Sequence, residues 1–267
     1  MRIITLTTDF GLADGYVGTM KGVILGIDPT VTIVDISHDI APQDVREAAY
    51  TFYAAYPYFP QGTIHVVVVD PGVGSERRAI ALRTPQATFV APDNGVLSYV
   101  VAGERVEEIV HLTNPRYHLS PVSHTFHGRD IFAPAAAHLA RGVPLAELGE
   151  PLAEIVTFPL PRPQVGPDGT IAGQIIHVDR FGNLITSIMS KDLTDHPLLR
   201  EGIITIKGQS IRGIANNYAE GATGKLLALV GSSDHLEIAV SGGSASQTLA
   251  ARVGDEVLLK VEGHEDR

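Results

Sequence analysis

The apolar run at residues 64–69 constrains the fold of this chain more than any other feature. It consists of one isoleucine and four valines around a single histidine. Such a β-branched run between turn residues is typical of a strand buried on both faces of a sheet. The run is followed at once by Asp70, by a Pro-Gly-x-Gly turn and by Arg77. Because open α/β sheets bind ligands outside the carboxyl ends of their strands, Asp70 is either a ligand-site residue or a solvated turn residue.

Strand and helix patterns alternate through the first half of the chain. Strands are predicted at residues 3–6, 31–36, 64–69, 79–83 and 88–91, and helices at residues 15–27, 43–56 and 131–141. We expect Asp14 to cap the first helix. This alternation predicts right-handed crossovers and therefore an α/β domain with a mostly parallel central sheet.

The chain changes character after a proline-rich stretch. Residues 158–163 contain three prolines, which favours an extended connection between domains. Beyond it, short alternating runs are broken by Gly, Asp and Asn, as in a small barrel or sandwich. We therefore predict an α/β domain over residues 1–158, a linker over 159–166 and a smaller all-β, barrel-like domain over 167–267.

Composition narrows the possible functions. The 267 residues carry a formal net charge of −10, which argues against a general nucleic-acid or membrane-surface binder. The chain has no cysteine, so thiolate nucleophiles, disulfides and cysteine-ligated zinc are excluded. There is no signal-peptide pattern and no apolar run of the roughly 20 residues that span a bilayer. The sequence predicts a soluble, cytoplasmic protein.

Polar side chains recur at the predicted carboxyl ends of the strands. These are Asp9, Asp14, Asp35, His38, Asp70 and Asp93 with Asn94. Each alone can be a helix cap or turn residue, but together they predict a lined ligand edge. Residues 123–130 add two histidines, an arginine and an aspartate in a loop, which suits holding water or moving a proton. A metal site is an alternative interpretation of these histidines, although no metal-binding motif accompanies them.

Two loops of the second half also carry polar groups. Residues 179–183 place Asp179, Phe181 and Asn183 between two strands, and Ser232 and Ser233 lie in a Gly/Ser-rich turn. That turn is either a plain turn or a set of backbone N–H groups for a ligand. It lacks a Walker A lysine, and no G-x-G-x-x-G follows the first strand, so neither a P-loop nor an NAD-type site is predicted.

Five sequence blocks, taken in order, resemble one known family. They comprise residues 8–14, 16–22, 69–74, 124–132 and 179–184. The blocks are similar to those of the S-adenosyl-L-methionine hydroxide adenosyltransferase family, whose superfamily also contains fluorinating and chlorinating enzymes. The resemblance implies attack of water or hydroxide at ribose C5′ of S-adenosyl-L-methionine, yielding adenosine and L-methionine, without a cofactor and without metal ligands.

The resemblance also implies roles for individual residues. Asp70, Arg77 and His127 match the family's water-handling set. Halogenating relatives carry an uncharged residue in place of Asp70 and a Tyr and a Ser in place of His127 and Gly128, so this chain has the hydrolytic set. By the same resemblance Asp9 binds the ribose hydroxyls.

The remaining substrate contacts follow from the resemblance as well. Asp14 and Asp179 are expected near the methionine ammonium and the sulfonium, and Asn183, Ser232, Ser233 and Glu237 at the amino-acid end or the purine. Phe126, Phe181 and Tyr218 offer flat faces to the adenine or ribose, although each is equally well a core residue. The family implies a homotrimer with sites at subunit interfaces. A halogenase, a metal-dependent hydrolase and a non-catalytic protein that binds S-adenosylmethionine or adenosine remain as alternatives.

Overall fold

A computed structural model describes residues 2–193 and 202–261 of the chain. The chain divides into two compact units, Met1–Pro159 and Leu160–Arg267. The predicted second domain also covers residues 194–201 and 262–267, which lie outside the described residues.

The first unit contains seven strands and four α-helices among its described residues. The strands are β1 (Ile3–Thr8), β2 (Thr32–Ser37), β3 (Thr63–Val68), β4 (Ala79–Arg83), β5 (Ala87–Pro92), β6 (Glu108–His111) and β7 (Glu150–Pro151). The helices are α1 (Tyr16–Ile27), α2 (Val45–Ala55), α3 (Ser98–Gly103) and α4 (Ala133–Ala140). A π-helical turn, Gly128–Phe132, leads directly into α4.

The prediction of a mostly parallel sheet is wrong, because the sheet is mixed. Its strand order is β2-β1-β3-β5-β4-β6-β7. The pairs among β2, β1, β3 and β5 are parallel, whereas β4 pairs antiparallel with β5 and β6, and β6 with β7. Only three residues separate β4 from β5. A connection that short makes a hairpin, and a hairpin makes its strands antiparallel.

Helices cover both faces of this sheet. One core cluster joins alternate residues of β1 and β3 to α1 and α4, and includes Met20 and Phe132. A second cluster lies on the opposite face and joins β3 and β5 to α2, where Phe52 is fully buried. Because β3 is covered on both faces, all six of its residues are buried, as its unbroken apolar run predicts.

The helix starts differ in part from the predictions. Asp14 does not cap α1: the capping position is Gly15, and no side chain bonds the first turn. Asp14 lies one residue too early for its carboxylate to act as the N-cap group. The second helix is capped by Asp44, whose carboxylate accepts from the N–H groups of Arg46 and Glu47.

The second unit is an antiparallel, nearly closed barrel-like sheet. Among its described residues, the strands are β8 (Gln164–Val165), β9 (Ile171–Val178), β10 (Leu184–Met189), β11 (Gly202–Ile206), β12 (Gln209–Arg212), β13 (Leu226–Val230), β14 (His235–Val240) and β15 (Glu256–Val261), and the α-helix is α5 (Ala245–Leu249). The strand order is β12-β11-β15-β9-β10-β14-β13, with β8 paired to β9. A bridge between Ala215 and Leu229 links the segment after β12 to β13.

Among the described residues, every helix is too short or too polar to cross a lipid bilayer.

Candidate active site

A cleft of about 390 Å³ opens at the carboxyl ends of β1 and β3 in the first unit. The chain passes from β1 to β2 on one side and returns to β3 on the other, so these two strands flank the point where the strand order reverses. Open α/β sheets leave a crevice at such a point. Asp9 lies directly after β1 and Asp70 two residues after β3, and both line the cleft.

Asp70, Arg77 and His127 form one hydrogen-bonded group. Nε of Arg77 lies 2.9 Å from both carboxylate oxygens of Asp70, and Nη2 of Arg77 also donates to Oδ2. The same Nη2 lies 2.8 Å from Nδ1 of His127. The Asp70 side chain is 5% exposed and that of Arg77 is 9% exposed. Arg77 is absent from the cleft lining and acts on the cleft through its two partners.

The glycine turn after β3 makes this arrangement possible. Gly74 has φ +77°, and a Cβ there would lie 2.2 Å from the His124 carbonyl oxygen. The turn therefore needs glycine both for its backbone conformation and for its close approach to the loop that carries His127. A Cβ on Gly72 would lie 3.3 Å from Cγ of Arg77, so the arginine stem packs against the turn.

His127 is held as a neutral ring. Burial lowers its pKa, and the positive charge of Arg77 lowers it further, while Asp70, Asp130 and a backbone hydrogen bond with Ser123 oppose this. Because a guanidinium can only donate, Nδ1 of His127 accepts the bond from Arg77, and the ring proton lies on Nε2.

The loop around His127 is fixed by a buried carboxylate. Asp130 accepts from the Ser123 N–H at 2.8 Å and from Nε of Arg129 at 2.6 Å, and its side chain is 1% exposed. Burial raises the pKa of Asp130, but the bonds from Arg129 and Ser123 outweigh burial and lower it overall. Arg129 and Asp130 therefore support the loop and do not line the cleft.

Three aromatic rings form a wall of the cleft, and only one of them was predicted. The ring centroids of Phe10, Tyr16 and Phe126 lie 5.2–5.8 Å from one another. Tyr16 is 48% exposed. An aromatic residue directly after a strand, and another exposed at the first position of a helix, are the sequence signals that could have identified Phe10 and Tyr16.

Some of the predicted strand-end residues have structural roles instead. Asp93 is buried, bonds Nε of Arg78 at 2.7 Å and accepts the Val156 N–H at 2.7 Å. Asn94 donates to the carbonyl of Val69, which holds the end of β3 in place. Asp14 is exposed and outside the cleft lining.

The second unit has its own pocket, of about 650 Å³. It gathers six of the predicted residues, namely Asp179, Phe181, Asn183, Tyr218, Ser232 and Glu237. Ser233 is outside this lining. The pocket is completed by residues 240–243, where the chain turns after β14.

Asp179 and Asn183 close the turn between β9 and β10. Oδ1 of Asp179 accepts from the N–H groups of Phe181 and Asn183 at 2.9 and 2.8 Å, and Oδ2 accepts from Nδ2 of Asn183 at 2.9 Å. Gly182 has φ +82°, and a Cβ there would lie 2.0 Å from Oγ of Ser244. The turn leaves Phe181 76% exposed at the pocket.

Tyr218, which is 46% exposed, and the buried Glu237 form a polar pair in the same pocket. The Tyr218 hydroxyl donates to Oε1 of Glu237 at 2.5 Å. Burial raises the pKa of Glu237, and the nearby Asp179 raises it further, whereas the Tyr218 bond lowers it. Burial and the bond to Glu237 raise the pKa of Tyr218. Both side chains therefore present hydrogen-bonding groups to a polar ligand.

Within residues 2–193 and 202–261, no group of three or more His, Cys, Asp or Glu side chains is arranged to hold a metal ion. What the first cleft offers is a buried carboxylate and a neutral imidazole beside an aromatic wall, with a guanidinium behind them that bonds to both. Such a set can hold and polarise one water molecule against an uncharged or cationic ligand.

Comparison with known proteins covers both units. Residues 4–149 match the profile described as SAM hydroxide adenosyltransferase N-terminal domain, and residues 173–258 match the C-terminal domain profile. A crystal structure of a conserved protein from Thermotoga maritima superposes with a TM-score of 0.90 at 38% identity, covering 96% of this chain and 100% of that one.

Two relatives have names that state an activity. The chain is 40% identical to a protein of Salinispora tropica named (R)-S-adenosyl-L-methionine hydrolase, over 95% of this chain and 96% of the relative. It is 33% identical to a fluorinase of an Actinoplanes species, over 76% of this chain and 80% of the relative. Since the matches extend through both units at these identities, the chain belongs to the SAM hydroxide adenosyltransferase family.

Proposed function

We propose that this protein hydrolyses S-adenosyl-L-methionine to adenosine and L-methionine. The observation that carries the proposal is the buried Asp70–Arg77–His127 group at the carboxyl end of β3, beside an aromatic wall. The relatives named hydrolases support the same reaction. The names of these relatives specify the (R) epimer at the sulfonium. Both sulfonium epimers of the substrate are therefore to be assayed.

The proposed reaction is an in-line displacement. The oxygen of water forms a bond to ribose C5′ while the C5′–S bond breaks. The electron pair of the C5′–S bond stays with sulfur, which becomes the neutral thioether of methionine. One proton of the attacking water passes to the Asp70 carboxylate, which accepts its hydrogen bond, and from there to solvent. Because a sulfonium is already a good leaving group, the enzyme needs no acid to protonate it and no cofactor. The contribution of the protein is to place the water about 3 Å from C5′ and to exclude bulk solvent.

The three residues of the group have distinct roles in this proposal. Oδ1 of Asp70 accepts one hydrogen bond from Arg77 and keeps a lone pair for the attacking water. Arg77 acts from behind the cleft: its guanidinium holds the Asp70 carboxylate in place and supplies a positive charge next to it. Nδ1 of His127 accepts a hydrogen bond from Nη2 of the same guanidinium. Nδ1 can therefore take up a proton only when that bond is broken.

The other residues would bind the substrate. Asp9 takes the ribose hydroxyls beside the wall of Phe10, Tyr16 and Phe126. In the second unit, Asn183, Ser232 and Glu237 contact the amino-acid end or the purine, and Phe181 and Tyr218 provide flat faces. Asp14, Asp179 and Ser233 remain predicted contacts, of which Asp179 already satisfies three donors within its own turn.

We propose further that the protein is a homotrimer in which the first-unit cleft of one subunit works with the second-unit pocket of the next. In support, the predicted ligand residues are divided between two pockets in different units. Mixing Asp70→Asn with Asn183→Ala, after reversible dissociation, tests this arrangement. Sites shared between subunits regain part of the wild-type turnover, because some sites receive two intact halves. Sites within one chain regain nothing.

Asp70→Asn tests the reaction itself. Turnover is expected to fall at least about 100-fold, since an amide cannot replace the charge that polarises the water. Adenosine binding, measured by calorimetry, should stay within threefold of wild type. In H₂¹⁸O, the label should appear at the 5′ oxygen of adenosine. Label in methionine, or wild-type turnover in the variant, would refute the proposal.

Halide is the competing nucleophile, and the fluorinase relative is the reason to test it. The carboxylate of Asp70 repels an anion, so incubation with chloride should yield adenosine and little 5′-chloro-5′-deoxyadenosine. Predominance of the chlorinated product would favour a halogenase. Intact substrate after prolonged incubation with binding retained would favour a non-catalytic binding protein, and loss of turnover in chelator would favour a metal-dependent hydrolase.

A further inference from the structure

The loop that follows β1 is fastened at both ends to one buried histidine. Asp9 and Phe10 of this loop line the cleft. The Gly11 N–H donates to the backbone carbonyl of His38 at 2.8 Å. Nδ1 of His38 lies 2.8 Å from the hydroxyl of Thr8, at the other end of the loop. His38 is 5% exposed and is absent from the cleft lining, so it contacts the loop from behind.

Two polar side chains, Thr8 and Asp35, face the ring of His38. The Phe10 N–H donates to Oγ1 of Thr8 at 3.2 Å, which leaves the hydroxyl hydrogen free for Nδ1 of His38. On the far side of the ring, Nε2 lies 3.1 Å from Oδ1 of Asp35. Asp35 is in turn 2.5 Å from Nζ of Lys21. Nδ1 of His38 is therefore hydrogen-bonded to Thr8, and Nε2 faces the Asp35 carboxylate without a hydrogen bond to it.

Asp35 remains a carboxylate in this arrangement. Burial raises its pKa, but the hydrogen bonds and charges of Lys21 and His38 act in the opposite direction and lower it overall. The groups that face His38 are thus one anion paired to one cation, and one neutral hydroxyl. The bond to Nδ1 of His38 keeps the Thr8 hydroxyl in a single rotamer.

The segment after His38 holds the carboxylate of Asp9 directly. Oδ2 of Asp9 accepts from the Gln43 N–H at 2.8 Å. Gln43 has φ +68°, so its N–H is aimed by a backbone conformation that non-glycine residues seldom adopt. The segment from His38 to Gln43 consequently fixes the loop at Thr8, Asp9 and Gly11.

We propose that His38 is a positioning residue for the ribose site: it holds the loop so that the Asp9 carboxylate meets the two ribose hydroxyls of the substrate. The inference rests on the proposed function, which gives Asp9 that role. Asp9 lies in a loop rather than in a strand, so its position depends on these few bonds. A displacement of a fraction of an ångström is enough to weaken a bidentate contact.

The same sheet contains a matched control. Nδ1 of His65 lies 2.7 Å from the hydroxyl of Thr5, and His65 is 1% exposed. Thr5 and Thr8 both belong to β1, so the two His–Thr pairs share chemistry and burial. His65, however, packs among aromatic residues such as Phe52 and Phe89 and does not line the cleft.

The test compares His38→Leu, His38→Asn and His65→Leu with wild type. Adenosine affinity is measured by calorimetry, and KM and kcat with S-adenosyl-L-methionine. In His38→Leu we expect the affinity to fall and KM to rise by at least about tenfold, which corresponds to one lost hydrogen bond to a charged group. The value of kcat should change less than KM. His38→Asn keeps an acceptor for Thr8 and should remain within threefold of wild type. His65→Leu should lose thermal stability without losing affinity.

A second measurement does not depend on any ligand. Amide hydrogen exchange at Gly11 and Gln43 should accelerate in His38→Leu and stay unchanged in His65→Leu. If His38→Leu does not fold, Thr8→Val removes the same bond at nearly equal volume, together with the bond from the Phe10 N–H, and is expected to lose at least as much affinity. Wild-type affinity with wild-type exchange in the His38 or Thr8 variant, or equal loss of affinity in His65→Leu, overturns the inference. A wild-type protein that neither binds adenosine nor turns over substrate would instead refute the proposed function, and the exchange data would still decide the role of His38.

Discussion

Replacement of Arg77 by methionine should destabilise the first unit strongly, because it leaves the Asp70 carboxylate buried without its counter-ion. The Asp70 side chain is 5% exposed, and its carboxylate accepts three hydrogen bonds from Arg77. Breaking a buried ion pair by removing one partner costs about 3–5 kcal/mol. We therefore expect Arg77→Met to lower the free energy of unfolding by that amount at pH 7.5.

The double variant Arg77→Met/Asp70→Asn separates charge from shape. With the carboxylate gone, what remains is one poorly bonded amide, which costs about 1–3 kcal/mol. The double variant should thus recover roughly 2 kcal/mol relative to the single one. Arg83→Met is a matched control, since Arg83 pairs with Glu108 but is 45% exposed, and it should cost less than about 1 kcal/mol.

Urea unfolding provides the measurement. The chain has no tryptophan and eight tyrosines, so tyrosine fluorescence and far-ultraviolet circular dichroism are the suitable probes. Arg77→Met should also raise the pKa of His127, because the positive charge of Arg77 contributes to the lowering. Titration of the His127 ring by NMR would show this. A cost for Arg77→Met equal to that for Arg83→Met would refute the argument that the pair is buried and unscreened.

Two other perturbations are informative. Burial lowers the pKa of His65 to about 3, so the fold holds this ring neutral. The contribution of this neutral ring to the free energy of unfolding is fully present above the unfolded-state pKa of about 6.5. It is lost as pH falls towards 3, by about 1.4 kcal/mol per pH unit. Between pH 7.5 and 5.0, wild type should therefore lose about 2 kcal/mol more than His65→Leu in urea unfolding, and parallel losses would contradict this. Gly74→Ala should abolish most turnover, because its Cβ would lie 2.2 Å from the His124 carbonyl oxygen. Gly62→Ala, at φ +83° with open space around the Cβ, should cost only about 1 kcal/mol and leave turnover intact; equal losses of turnover would contradict the steric argument.

Local patterns were enough to predict the elements around Asp70. A β-branched run with a single histidine is typical of a strand covered on both faces, and the acid directly after it lies at the end of the sheet where ligands bind. The turn that returns Arg77 to Asp70 is equally local, since only six residues separate them and two of these are glycines. Family membership was also evident from the sequence, because several motifs occur in order along it.

The direction of the outer strands depends on the length of the connections between them. A three-residue link between β4 and β5 already implies an antiparallel pair, so the mixed sheet was accessible in principle. The alternation of strands and helices in the first 70 residues predicts the parallel half of the sheet. It does not hold for the antiparallel strands at the other edge of the sheet.

The tertiary structure alone decided which polar and aromatic residues act together. Four acids look alike in the sequence, namely Asp9, Asp35, Asp70 and Asp93. In the structure Asp93 pairs with Arg78 and Asp35 with Lys21, whereas Asp9 and Asp70 line the cleft. The wall that joins Phe10 and Tyr16 to Phe126 links positions more than 100 residues apart. Strand and helix periodicity follow from backbone geometry within a few residues and can be read locally. The partner of a buried side chain depends on how distant elements pack, and only the folded chain brings those elements together.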